Sequence, residues 1–359
     1  MIGRRHSVRG RYGRGMPDNA FTMTRRRPVG RLSVSPLCLG GNVFGWTAGE
    51  AASHDVLDAF TAAGGNFIDT ADAYSGIRHG VSDGSDSEAV IGNWTAARGN
   101  RDDVVIATKV GAHPDRKGLS AANIKAAADD SLRRLRTDRI DLYYTHFDDE
   151  SVEVSEIVTA LDDLVRAGKV REIGASNLTP ERLAASLAFS AESGTARYAA
   201  LQPHYNLVSR DTYEGPLSGL AEQHGLAVMP YFALASGFLT GKYRPGRTEE
   251  SVRSERASKH LETERGRRVL AALDPDLPGT RRSFAREHRH RVAAEPPDGD
   301  VPDRQRPYDG PAERATGPGR AGVDAGRGDA ADGGVGLTTV PPGRRAEGGA
   351  GGAGGAAPG

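Results

Sequence analysis

The chain has 359 residues, room for one large barrel or two ordinary domains. Its 47 Lys and Arg balance 47 Asp and Glu, so no global charge recruits nucleic acid or an acidic partner. A single cysteine, Cys38, excludes an intrachain disulfide framework, and no apolar run nears the ~18–20 residues of a membrane span.

The Arg-rich start lacks the apolar core of a secretory signal, so a soluble, cytoplasmic protein is expected. Residues 1–22 are basic and without periodicity, and read as a disordered extension rather than a nucleic-acid-binding arm. Pro36–Gly41 reads as the first strand, with Cys38 a buried structural thiol. Its helix, Glu50–Gly64, carries a stripe of Val56, Leu57, Phe60 and Ala63. In the loop between them, Phe44 and Trp46 either wall a substrate pocket or pack on a neighbouring element.

NFIDTADAYS (66–75) enters as a short buried strand and leaves with Asp69 and Tyr74. The Ser/Asp-rich SDGSDSE then caps a helix. Asp103–Val110 is strand three, apolar on both faces as a buried parallel strand should be, and it closes on Lys109. Ser120 caps the helix of Ile124, Ala128, Ser131, Leu132 and Leu135. Ile140–Phe147 is strand four and carries His146; Val154–Gly168 is an amphipathic helix ended by Gly168. Strand five, VREIGAS, delivers Ser176 and Asn177, and Thr179-Pro180 opens the next helix. Tyr198–Tyr205 is strand six and delivers Gln202; Leu226–Leu234 is strand seven and delivers Tyr231. Short apolar runs alternating with helices of about 12–17 residues predict a (β/α)8 TIM barrel.

In such a barrel the C-terminal strand ends share one face, and Asp69, Tyr74, Lys109 and His146 would converge there. A phenol with an ordinary pKa near ~10 is a poor acid at neutral pH. An ammonium beside it favours the phenolate, and a carboxylate holds that ammonium in place. A histidine can orient a carbonyl oxygen or relay the proton. The set suits protonation of a carbonyl while a hydride arrives from elsewhere. On spacing alone, four unrelated polar residues at loop starts remain the alternative.

DTADAYS, VVIATKVG, RIDLYYTHFDD, IGASN and LQPHYNLVSR, in this order, resemble an aldo-keto reductase over about Arg27–Lys242. The resemblance implies a catalytic tetrad of Asp69, Tyr74, Lys109 and His146, with Tyr74 as general acid. It implies that Ser176, Asn177 and Gln202 hold the nicotinamide carboxamide of NADPH (NADP), an amide ligand that needs both donors and acceptors. Tyr231 matches the aromatic stacked on the nicotinamide. FALASGFLTGKY resembles the loop over the pyrophosphate, adding Phe232, Leu234, Ser236 and Lys242 to the cofactor set. The expected partner is a small-molecule carbonyl substrate. No G-x-G-x-x-G joins a strand to a helix, so the cofactor side is not a Rossmann unit. Glu287-His288-Arg289-His290 reads as a solvated basic run, and no metal is expected. The family-like start follows Met23, which makes Met1, Met16 and Met23 alternative starts.

The barrel is expected to occupy 23–277, followed by an aberrant tail over 278–359. Glu264–Asp274 still reads as the helix that precedes strand eight. From Arg291 onward there is no Ile, Phe, Met or Trp, with Leu337 and Tyr308 the only Leu and Tyr. Such a segment cannot offset its conformational entropy by burial, so a disordered tail is expected, with the eighth strand and helix missing or replaced. The codons of Val301–Pro311, read one base later, permit SPIASARTTDQ, a family-like strand and phosphate loop. A frameshift near Gly279–His290 is the hypothesis, and the coding DNA decides it. Two functions stand open: an NADPH-dependent aldehyde or ketone reductase, impaired by its tail, and a non-catalytic cofactor-binding subunit. Open edges on strands one and seven would make the chain aggregation-prone, and the missing adenosine-side phosphate loop that the resemblance implies would make it a weak NADPH binder.

Overall fold

The structure is a computed structural model and describes residues 22–74, 86–243, 254–273 and 337–339. The chain divides into two units, 22–272 with 332–359, and 1–21 with 273–331. Of the second unit only Leu273 is described, so the expected N-terminal extension lies almost wholly outside the described residues, as does the expected tail apart from 337–339.

The first unit opens with a hairpin absent from the sequence reading, β1 (Arg27–Val29) and β2 (Leu32–Val34), paired antiparallel. Strands of three residues are too short to show a period, and the hairpin was therefore invisible. A β/α alternation follows: β3 (Leu37–Gly40), α1 (Glu50–Ala62), β4 (Phe67–Asp69), α2 (Asp86–Arg98) and β5 (Val105–Val110). A small hairpin, β6 (Ala112–His113) with β7 (Arg116–Lys117), leads to α3 (Ala121–Leu135) and β8 (Ile140–Thr145). Then come α4 (Val154–Arg166), β9 (Val170–Ser176), α5 (Pro180–Ser193), β10 (Tyr198–Gln202), α6 (Pro216–Gln223) and β11 (Ala227–Val228). Helices α7 (Ser254–Glu262) and α8 (Glu264–Leu273) and a final strand, β12 (Leu337–Thr339), complete the described elements.

The sheet runs β11-β10-β9-β8-β5-β4-β3-β12 and curls into a half-barrel of the TIM type. Neighbours from β3 to β11 are parallel, whereas β12 pairs antiparallel with β3, Thr338 opposite Cys38. An eighth barrel strand would lie parallel to the first and join the seventh. Among the described residues β12 joins only β3, so it covers the first strand's edge without closing the barrel. The edge expected to be open on strand one is thus covered. Removing residues 332–359 should uncover a row of backbone donors and acceptors on β3 and drive self-association. Light scattering of the truncated chain against the full chain checks this; equal monomer content would deny β12 a protective role.

Alternation along each strand sorts the core into two layers. Phe67, Val105, Ala107, Leu142, Tyr144, Ala200 and Met229 pack inside the barrel, where Val29, Leu32 and Val34 of the hairpin close it off. Their neighbours Ile68, Ile106, Tyr143 and Leu201 face outward with Leu57, Ile91, Trp94 and Leu135 of the helices. The β5 order is therefore inward Val105, outward Ile106, inward Ala107, outward Thr108, inward Lys109. Between α2 and α3, Gly92 permits close approach, since a Cβ there would sit 2.3 Å from the Arg134 carbonyl oxygen.

Several local expectations shift. The buried face of α1 is Ser53, Leu57 and Phe60, while Val56 and Ala63 are exposed. Ser53 tolerates burial because its hydroxyl donates to the Ala48 and Gly49 carbonyls. Phe44 lies in the outer core, 1% exposed, and Trp46 packs partly buried against the same cluster. Strand seven shrinks to two residues, because Pro230 has no N–H for the ladder. Beyond it, Tyr231 still donates its N–H to Pro203 at 3.0 Å. The expected Ser120 and Thr179 caps are present, accepting from the N–H groups of Asn123 and Arg182. The cap position before Asp86 and the Glu287–His290 cluster lie outside the described residues. No described helix is long and apolar enough to cross a membrane. Among the described residues no group of three or more His, Cys, Asp or Glu could hold a metal.

Candidate active site

Parity decides which polar groups meet at the open end of the barrel. β4 ends with Asp69 inward and β5 ends with Lys109 inward, on adjacent parallel strands. The Lys109 side chain is fully buried, and its Nζ donates to Asp69 Oδ2 at 2.5 Å, to the Thr70 carbonyl at 2.7 Å and to the Tyr74 hydroxyl at 3.1 Å. The ammonium also sits 4.5 Å from the centre of the Tyr74 ring. Burial works against its charge, but the Asp69 carboxylate and then Tyr74 outweigh burial and hold Lys109 above its ordinary value. The amide of Gln202, at the end of β10, donates to Asp69 Oδ1 at 3.0 Å. His146 meets Tyr74 edge to face at 5.7 Å and stacks on Phe147 at 4.7 Å. Cys38 lies buried beneath this set, its thiol pushed up by burial and by Asp69 against the pull of Lys109.

A second network adjoins the first. Ser176 Oγ donates to the Gln202 carbonyl at 2.8 Å, and Asn177 Nδ2 donates to the His146 carbonyl at 2.8 Å and to Ser176 Oγ at 3.0 Å. Asn177 Oδ1 accepts from the Tyr231 hydroxyl at 2.8 Å. Asn177 itself takes φ +55°, a left-handed conformation that asparagine tolerates best after glycine. His204, not singled out in the sequence, stacks on Tyr231 at 5.3 Å, and burial together with His260 and Arg256 pushes it down. Burial and Tyr74 push the Tyr231 phenol up to about 12.

The remaining expected cofactor residues follow β11. Phe232 and Ser236 have φ +56° and Leu234 is 40% exposed. Lys242 Nζ lies 5.1 Å from the Tyr243 ring centre. Serine, asparagine and glutamine amide and hydroxyl groups beside an aromatic ring have the donor and acceptor chemistry of a nicotinamide carboxamide site.

Sequence reasoning missed two buried carboxylates behind this face, Asp72 and Glu88, 1% and 0% exposed. Glu88 accepts from Thr108 Oγ1 at 2.5 Å and from Arg134 Nε at 2.7 Å. The signal was the outward Thr108 at a parity that otherwise carries apolar residues. Asp72 is pushed up to about 7, first by burial and then by Glu88, against the N–H groups of Gly111 and His113 and against Arg134. The folded state then holds a proton that the unfolded chain has lost between about pH 4 and pH 7, so stability falls as pH rises through that window. At 1.36 kcal/mol per unit the loss is on the order of 4 kcal/mol. Asp72→Asn should abolish this decline, read as denaturation midpoints at pH 5 and pH 8.

The sequence model of the Aldo/keto reductase family matches residues 36–294, ending inside the tail of altered composition. The chain belongs to the aldo/keto reductase family. A norsolorinic acid reductase of Emericella nidulans is 36% identical over 227 residues, 58% of this chain and 56% of that protein. Norsolorinic acid reductase B of Aspergillus parasiticus is 33% identical, covering 66% of this chain and 63% of its own length. The chain thus spans little more than half of these relatives. Protein tas of Escherichia coli is 33% identical over 64% of this chain and 73% of its own length. Among solved structures, the glycerol dehydrogenase of Gluconobacter oxydans superposes with a TM-score of 0.56 at 30% identity, over 70% of this chain and 76% of that one.

Proposed function

We propose that the chain is an NADPH-dependent oxidoreductase that reduces an aldehyde or ketone to an alcohol. The observation that carries this reading is the buried Lys109 ammonium held between the Asp69 carboxylate and the Tyr74 hydroxyl. Tyr74 is the group that donates a proton to the carbonyl oxygen. Lys109 stabilises the phenolate left behind, and Asp69 keeps Lys109 charged and aimed. His146, edge-on to Tyr74, orients the carbonyl oxygen. Ser176, Asn177 and Gln202 would hold the carboxamide and Tyr231 would stack on the ring; NADPH, when bound, supplies the hydride. Phe232, Leu234, Ser236 and Lys242 would line the phosphate-side loop. The reductases among the relatives support carbonyl reduction as the reaction class.

One observation favours a second reading, a non-catalytic cofactor-binding subunit. Where the eighth strand should stand, the described residues offer only the antiparallel β12. The two readings part in one pair of measurements: titration of NADPH fluorescence, then turnover of a panel of aldehydes and ketones, on this chain and on a frame-restored version. Saturable binding with turnover in either form supports the reductase. Binding without turnover in both supports the subunit, and absence of binding in both defeats the two together.

A further inference from the structure

Ser87, in the first turn of α2, ties together separate segments of the candidate site. It and Thr70 are both 0% exposed, so their hydroxyls must find partners within the protein. Ser87 Oγ donates to the Gly41 carbonyl at 2.8 Å, which uses its one proton. The 2.7 Å bond between the Ser87 and Thr70 hydroxyls therefore has Thr70 as donor. The Ser87 N–H donates to the Tyr74 carbonyl at 3.1 Å, and the Gly41 N–H donates to the Asp69 carbonyl at 2.7 Å. Gly41 leaves no room for a side chain: a Cβ there would sit 2.9 Å from Ser87 Oγ and 3.2 Å from the Asp69 carbonyl oxygen.

These bonds reach the backbone around both reacting groups. The Thr70 carbonyl accepts from Lys109 Nζ at 2.7 Å, and the Ser87 N–H holds the backbone that carries the Tyr74 ring. The next residue, Glu88, accepts from Thr108, the neighbour of Lys109 on β5, and from Arg134. The start of α2 is thus fastened both to the strand that carries Lys109 and to the turn that carries Tyr74. We propose that Ser87 and Thr70 are positioning residues for the proton-donating pair: the bond between their hydroxyls fixes the turn after β4, so that the Lys109 ammonium stays within 3.1 Å of the Tyr74 hydroxyl. This rests on the reading of Tyr74 and Lys109 as the reacting pair.

The test compares the full chain with Thr70→Val, which removes the hydroxyl at nearly constant shape, and Thr70→Ser, which keeps it. Thr70→Val should lower kcat for carbonyl reduction by about 10–10²-fold, the scale of a misplacement of up to ~1 Å, with KM and the NADPH titration unchanged. Thr70→Ser should keep most of the wild-type rate. Ser87→Ala should be at least as slow as Thr70→Val, and the double variant no slower than Ser87→Ala alone, because both changes remove the same bond. Hydrogen exchange without substrate gives a second reading: the Ser87 amide should lose protection in Thr70→Val and keep it in Thr70→Ser. A Thr70→Val chain with wild-type kcat, a loss that appears in KM instead, or a Thr70→Ser chain as slow as Thr70→Val overturns the proposal. Thr70→Val leaves the Ser87 bond to Gly41 in place, so the comparison stands even where Ser87→Ala fails to fold. Protection lost in Thr70→Val on a chain that reduces no carbonyl, as it stands or frame-restored, defeats the reductase reading and with it the positioning role, and leaves only the tie itself.

Discussion

Tyr74→Phe is expected to lower carbonyl reduction by about 10²–10⁴-fold, the usual worth of a general acid, while leaving the fold and NADPH binding intact. The side chain is half-buried at the mouth of the barrel, and phenylalanine keeps its ring against His146. The ammonium of Lys109 loses one partner but keeps Asp69 Oδ2 and the Thr70 carbonyl, so no buried charge is stranded. Loss of the proton donor with retained binding should therefore appear in kcat rather than in the NADPH titration. The measurement compares single-turnover rates and thermal midpoints, in this chain and in a frame-restored one. A Tyr74→Phe variant that reduces its substrate at near wild-type rate would remove Tyr74 from the chemistry.

Lys109→Met is expected to do more, because it strikes both reactivity and the fold. The phenol loses the cation that favours its conjugate base, and Asp69 is left with the Gln202 amide alone of the partners described above. Removing one member of a buried pair typically costs about 3–5 kcal/mol, since the other charge stays desolvated. The Lys109 side chain is 0% exposed and that of Asp69 12%, so solvent can do little to rescue the carboxylate. At about 2–4 °C per kcal/mol the midpoint should fall by roughly 6–20 °C. Adding Asp69→Asn removes the stranded charge and should return part of the stability but none of the activity. A single variant as stable as wild type, or a double variant no better than the single, would show that the pair does not carry this energy.

Much of the site was legible before any coordinates. Asp69, Lys109, Ser176 and Gln202 stand at the ends of successive apolar runs, and parallel strands present those ends on one face; the roles assigned to Ser176 and Gln202 came from the family resemblance. The caps at Ser120 and Thr179 were equally legible, because a cap is a bond between residues three apart in the chain. Element ends were less so: Leu226–Leu234 read as one strand, while Pro230 confines the ladder to Ala227–Val228.

What only the tertiary structure decided concerns partners far apart in sequence. Glu88 looked like part of a polar helix start, yet it lies buried against Thr108 and Arg134, 20 and 46 residues away. Asp72 stood inside the most diagnostic motif and still gave no sign of gripping the Gly111 amide, because beyond Asp69 the strand has ended and alternation no longer says where a side chain points. The hairpin of β1 and β2 is too short for a hydrophobic period, and its burial comes from the barrel it closes. The pairing of Leu337–Thr339 with β3 was hidden for a related reason. Backbone hydrogen bonds to a sheet edge need no particular side chains, so composition cannot announce them.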